Sequence, residues 1–191
     1  MLSVSMSEDA LKAALETGRL ACPGCSGPLS PWGSARAREV RMLHGVRSVR
    51  PRRACCYRCG STHVLSPAWS VPRRRDGAEV IGEALVAGAR GDGHRTIARR
   101  LGRTPGTVRG WLRAARRRAE PLRCSGVRWA YTLDPELGAI TPAGSPLGDA
   151  VEALALAARA SVLRLAPGGC PWEVATWLTG GLLHGQPRDP P

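Results

Sequence analysis

Apolar and polar residues change their spacing along this chain, and the changes divide it. From Arg73 to Glu120 the period is helical, with Val80, Ile81, Ala84, Leu85 and Gly88 on one side of a 3.6-residue wheel. Asp76-Gly77-Ala78-Glu79 has the D-x-x-E form of a capping box for that helix, and Gly91-Asp92-Gly93 ends it. A second apolar stripe follows at Val108, Trp111, Leu112 and Ala115. Leu147–Leu165 is a longer amphipathic stretch with Val151, Leu154, Ala155, Ala158, Val162 and Leu165 in line. Short helices are also expected from Ser7 to Gly18, capped by Ser7, near Val127–Leu133, and near Trp172–Leu178 ahead of a frayed Gly/Pro tail. Ala21–Pro72 lacks the helical period; its short Val-containing runs, broken by Pro and Gly, read as β-ribbon. A hairpin is expected to turn at Gly45, between Arg38–Leu43 and Arg47–Ala54.

The expected class is therefore α+β, mainly α. Its parts are an N-terminal helix (1–20), a ribbon (21–72) and a three-helix unit (73–120). A linker with a short helix (121–146) and C-terminal amphipathic helices with a tail (147–191) complete it.

The stretch His94–Leu112 is the most specific local pattern. Ile97 and Leu101 lie four apart, Ala98 is small where two helices would approach, and Gly102 suits a turn with positive φ. Thr104 can cap a second helix that starts at Pro105. On that helix Arg109, Arg113, Arg116 and Arg117 fall opposite the apolar stripe, and no acid occurs between Asp92 and Glu120. An ordinary surface hairpin would intersperse Glu among those arginines for i,i+4 pairing. The pattern points to a helix-turn-helix, a homeodomain-like unit whose second helix enters the DNA major groove. Candidate contacts are Arg95, Arg103, Thr104, Gly106, Thr107, Arg109, Gly110 and Arg113. Arg116 and Arg117, with Arg118 beyond them, are expected at phosphate. For Arg73–Arg75 an arm into the adjacent groove and a charged linker are both open readings.

Charge agrees with a polyanionic partner. The 191 residues carry a formal net charge of +13 and a sequence pI near 11.0, with Lys12 the only lysine. Abundant Arg beside Ala, Gly and Pro also matches the coding bias of a high-GC genome. Phe is absent and aromatic residues are only 4%, so small modules are expected rather than one large core. Met1–Glu8 has no basic n-region or apolar run, and no apolar stretch reaches membrane-spanning length. No membrane partner and no small-molecule substrate are implied. Seven cysteines without a secretory signal favour a reducing compartment, with the cytoplasm the expected location.

Four of those cysteines form two pairs, Cys22-Pro23-Gly24-Cys25 and Cys56-Tyr57-Arg58-Cys59. Two such turns can present four thiolates to one tetrahedral Zn²⁺ with the intervening chain folded as a ribbon. Arg52, Arg53 and Arg58 are expected to favour the thiolate forms. A redox CxxC or disulfides are the weaker readings. Cys55, His63 and His44 are alternative ligands, while Cys124 and Cys170 read as small buried residues.

With both motifs in place, the chain resembles the N-terminal DNA-binding part of bacterial insertion-sequence transposases. It is similar also to short zinc-ribbon and helix-turn-helix proteins of high-GC bacteria. The resemblance rests on Cys22–Cys25, the Arg-rich run into Cys56–Cys59 and the block Gly93–Leu112, where Ala98–Gly102 reads A-R-R-L-G. It implies binding of double-stranded DNA. Two departures stand out. Cys25 is followed by Ser26 where Gly would be more usual. The acids after Glu120, namely Asp134, Glu136, Asp149, Glu152, Glu173 and Asp189, lie in a region too short for the two-metal nuclease domain of such enzymes. The expectation is a non-enzymatic, zinc-stapled DNA-binding protein of transposase-like or regulator type. A truncated recombinase, or an adaptor or homodimer using Leu147–Leu165, are the alternatives.

Overall fold

The computed structural model describes residues 1–165 and 169–183; the expected tail beyond 183, with Asp189, lies outside the described residues. The molecule is α+β and mainly helical. Its elements are β1 (Leu2–Val4), α1 (Glu8–Glu16), β2 (Leu29–Ser34), β3 (Arg38–Arg41), β4 (Val46–Val49), β5 (Arg52–Cys56) and β6 (Thr62–Pro67). Five helical segments and a sixth follow: α2 (Ala78–Ala89), α3 (His94–Leu101), α4 (Pro105–Arg117), α5 (Ala119–Leu133), α6 (Pro146–Leu165) and α7 (Pro171–Leu178).

The N-terminal part is a sheet of order β1-β6-β5-β2, antiparallel except for β1 against β6. Ser7 caps α1 by accepting the Ala10 N–H, as expected, and α1 lays Leu11 and Leu15 over Leu29, Ala54 and Leu65. That core is small, and Cys22 and Cys56 belong to it. The expected hairpin forms from β3 and β4, and Gly45 (φ +86°) makes its turn. The run expected as one strand over Arg47–Ala54 is split at Arg50–Pro51, because Pro cannot continue the ladder.

The larger core joins α2, α3 and α4 to the first halves of α5 and α6. All of Val80, Ile81, Ala84, Leu85 and Gly88 are buried in or beside it. The capping box does not form. Gly77 is the N-cap of α2 and supplies no side-chain bond, while Asp76 points away into a junction described below. Glu79 instead accepts the N–H of Leu43, at the hairpin tip.

The short helix expected near Val127–Leu133 begins at Ala119, taking Pro121 into its first turn where the missing N–H costs nothing. Helices α5 and α6 pack closely along their length. A Cβ at Gly126 would lie 2.7 Å from the Ala153 carbonyl carbon, so only glycine permits this approach. The close contact rotates α6. Its buried face is Leu147, Ala150, Ala153, Leu154, Ala157, Ala158 and Ser161, whereas Ala155, Val162 and Leu165 of the expected stripe are exposed. Small residues rather than the largest apolar ones line the seam.

Candidate metal centre and nucleic-acid interface

The two cysteine pairs sit on turns of the same construction. In the first, the Ser26 N–H donates to the Cys22 carbonyl at 2.8 Å, and the Cys22 N–H to the Gly27 carbonyl at 2.8 Å. In the second, the Gly60 N–H donates to the Cys56 carbonyl at 2.8 Å, and the Cys56 N–H to the Ser61 carbonyl at 2.9 Å. Both turns need a left-handed residue directly after the second cysteine. Gly60 takes φ +71° freely, and Ser26 takes φ +57° despite its side chain. The departure at Ser26 therefore leaves the turn intact.

These turns bring the sulfurs of Cys22, Cys25, Cys56 and Cys59 within 4.8 Å of one another. Cys22 lies 3.7 Å from Cys59, Cys25 lies 3.5 Å from Cys56, and all four are free thiols. A tetrahedral ion bound at about 2.3 Å to each sulfur would set them about 3.8 Å apart, so the cluster fits one such ion. Cys55 is excluded from it by strand alternation: Cys56 faces the small core and Cys55 the opposite side of β5. His63 Nε2 lies 3.5 Å from Cys22 Sγ, at the edge of the group rather than within it. His44 occupies the hairpin turn.

The thiols perturb one another. The Ser61 hydroxyl and N–H stabilise the Cys59 thiolate and bring its pKa down to about 6. Cys25 has the Gly27 N–H favouring its thiolate, but its neighbours Cys56 and Cys59 outweigh that and push it up to about 12. Thiols this close resist losing more than one proton unless a cation lies between them, which is compatible with a metal site. The arginines expected to help do other things: Arg52 pairs with Glu8 at 3.0 Å, and Arg58 donates to the Cys25 carbonyl. Of the remaining cysteines, Cys170 is half-buried, but Cys124 is exposed, against expectation, with its thiol directed to Glu120.

The second candidate site is built by α3 and α4. Gly102 (φ +62°) ends α3, and Thr104 caps α4 by accepting the Thr107 N–H, with Pro105 in the first turn. Ile97, Ala98, Val108, Trp111, Leu112 and Ala115 are buried, and Leu101 packs beside them. Arg109, Arg113, Arg116 and Arg117 are exposed on the opposite side of α4, and Arg95 is exposed on α3. The four α4 arginines, with Leu112 and Gly91–His94, border an open cleft of about 560 Å³, whose lining includes one acid, Asp92, and His94, a residue the sequence pattern did not single out; Arg95 lies outside it. Gly106 and Gly110 leave open space on the outer surface of the first turns of α4.

Two of the expected contacts are occupied elsewhere. Arg103 is nearly buried: its Nε donates to Asp76 at 2.6 Å, and its other nitrogens to the carbonyls of Leu101, Gly102 and Met42. Asp76 also accepts from Arg41 at 2.7 Å, so one buried carboxylate ties the hairpin to the α3–α4 turn. Arg118 is half-buried, which lowers its pKa, and it donates to the Gly181 carbonyl. The Arg73–Arg75 segment is held against β3, the Arg41 N–H donating to the Arg75 carbonyl and the Arg38 guanidinium to the Arg74 carbonyl.

Comparison of the chain with family models, curated proteins and solved structures yields no match. Among the described residues, no helix is long and apolar enough to cross a membrane.

Proposed function

We propose that the chain is a zinc-stapled, double-stranded-DNA-binding protein of transposase-like or regulator type, and that it binds rather than catalyses. In this reading α3 and α4 form a helix-turn-helix and α4 enters the major groove. Arg109 and Arg113, beside the open Gly106–Gly110 surface, meet base edges, and Arg116 and Arg117 meet phosphates. One observation carries the reading: α4 is divided lengthwise, with an apolar face buried against α2 and α3 and an arginine face left open. Residues 93–119 hold nine arginines and no acid; Arg100 and Arg103 pair with Asp92 and Asp76, whereas Arg109, Arg113, Arg116 and Arg117 form no ion pair among the described residues.

Zinc is the ion proposed for the four cysteines. It accepts four thiolates in a closed tetrahedral site and has no redox chemistry of its own. Four thiolates around Zn²⁺ would complete such a site with no further ligand. The homodimer expected through Leu147–Leu165 is left with the exposed end of α6 at Val162, Leu163 and Leu165, since the buried face is packed on α5.

Selection from a randomised duplex pool tests the reading. The protein should enrich a defined sequence, and the double variant R109A/R113A should relax it at the bases those residues contact, each good bidentate contact being worth about 1–3 kcal/mol. A pool that is retained without enrichment, or an unchanged consensus in the variant, would remove α4 as the reading helix.

A further inference from the structure

The ribbon carries an aromatic surface that α4 does not account for. Trp32 and Tyr57 are 48% and 70% exposed, yet their rings meet edge to face with centroids 6.4 Å apart. This chain has few large rings to spare: it contains no Phe, and of its six tryptophans only Trp32 is among the exposed large apolar side chains. Local backbone devices hold both rings outward. Trp32 sits where the register of β2 against β5 slips between Pro31 and Ser34, a bulge that re-aims side chains. Tyr57 lies inside the second cysteine turn, between Cys56 and Cys59.

The surroundings identify the chemistry that fits. Ala54 and Cys56 face the core under α1, so alternation turns Arg53 to the other face of β5, at the position facing the bulge. Residues 21–72 carry eight arginines and a single acid, Glu39; Arg41 and Arg52 pair with Asp76 and Glu8 outside that range, which leaves the ribbon basic. Exposed rings on a basic surface match a base with an open π-face and the phosphate attached to it. An apolar or proline-rich protein segment would use the rings but leave the charge without a purpose. Bases inside a duplex are already stacked, so the ring pair has use only for unpaired ones.

We propose that Trp32 and Tyr57 form a base-stacking platform for single-stranded nucleic acid, a second binding site distinct from the arginine face of α4. Both rings are pre-positioned by a bulge and a ligand turn, so little freedom is lost when a base stacks on them. Together the two sites would suit a duplex that borders an unpaired strand.

The test uses the full chain with its metal, titrated with a short single-stranded oligothymidylate and followed by Trp fluorescence and by anisotropy of the labelled strand. Stacking on Trp32 should quench its emission. Trp32→Ala should weaken single-strand affinity about 5- to 150-fold while leaving duplex affinity in place, which also shows that the variant is folded. Trp32→Phe should keep most of the affinity and lose most of the quenching. R109A/R113A should leave single-strand binding and quenching unaltered, so this proposal and the reading of α4 stand or fall separately. Binding without quenching, or Trp32→Ala binding as tightly as the natural chain, would overturn the platform. Quenching by a proline-rich peptide but not by the oligonucleotide would assign the surface to a protein partner instead.

Discussion

Replacing Asp76 by alanine removes a buried carboxylate that joins the β3–β4 hairpin to the α3–α4 turn. Its side chain is 3% exposed and receives Arg103 at 2.6 Å and Arg41 at 2.7 Å. The two partners lose different amounts. Arg103 is 13% exposed, and losing the partner of a buried charge costs about 3–5 kcal/mol. It still donates to the Leu101, Gly102 and Met42 carbonyls, which reduces that penalty. Arg41 is 46% exposed and can be rehydrated, so its share is about 0–1 kcal/mol. The expected loss for Asp76→Ala is about 2–4 kcal/mol. Asp76→Asn keeps size and an acceptor but not the charge, and charge-assisted bonds are roughly twice as strong as neutral ones, so it should lose about half as much. Urea denaturation at constant m-value measures both. A double-mutant cycle of Asp76→Ala with Arg103→Met should show coupling above about 1 kcal/mol. A loss below about 0.5 kcal/mol, or additive effects, would refute the junction as a source of stability.

Other consequences are equally direct. Chelation of the proposed zinc should unfold the ribbon first, because its core is small and includes Cys22 and Cys56; amide exchange should accelerate in β2, β5 and β6 before α2–α4. Cys56→Ser should lose the metal and Cys55→Ser should retain it, as read by metal analysis of the purified variants. Gly126→Ala forces a Cβ to within 2.7 Å of the Ala153 backbone and should cost about 1–3 kcal/mol in a denaturant melt, by separating α5 from α6.

What the sequence made legible was local. Gly102, Thr104 and Pro105 mark the end of one helix and the start of the next through their own backbone preferences, and the structure uses all three as such. The spacing of Cys22, Cys25, Cys56 and Cys59 likewise anticipates the cluster, since each pair is set by one turn. What was hidden depended on distant partners. Leu2–Val4 becomes a strand only because β6, some sixty residues on, offers a parallel edge. Asp76 has the form of a helix cap, but Arg41 and Arg103 converge on it from both sides and outcompete the N-terminal N–H groups. Arg103 follows the same logic, since its place among the basic residues gave no sign of the buried carboxylate. On α6 the expected stripe is only partly the buried one: Leu154 and Ala158 are buried but Ala155, Val162 and Leu165 are not, because Gly126 lets α5 approach a seam rich in alanines. Periodicity ranks residues by hydrophobicity, whereas the helix contact selected them by size.

The central claim is that the arginine face of α4 holds DNA, and a salt titration of duplex affinity addresses it most directly. Anisotropy with a labelled duplex should give log K falling linearly with log salt concentration, at about 0.9 per phosphate neutralised. Replacing Arg116 and Arg117 by alanine should weaken binding across sequences and flatten the slope by about 1.8. Affinity that does not depend on salt, or a slope that the double variant leaves unchanged, would contradict the account.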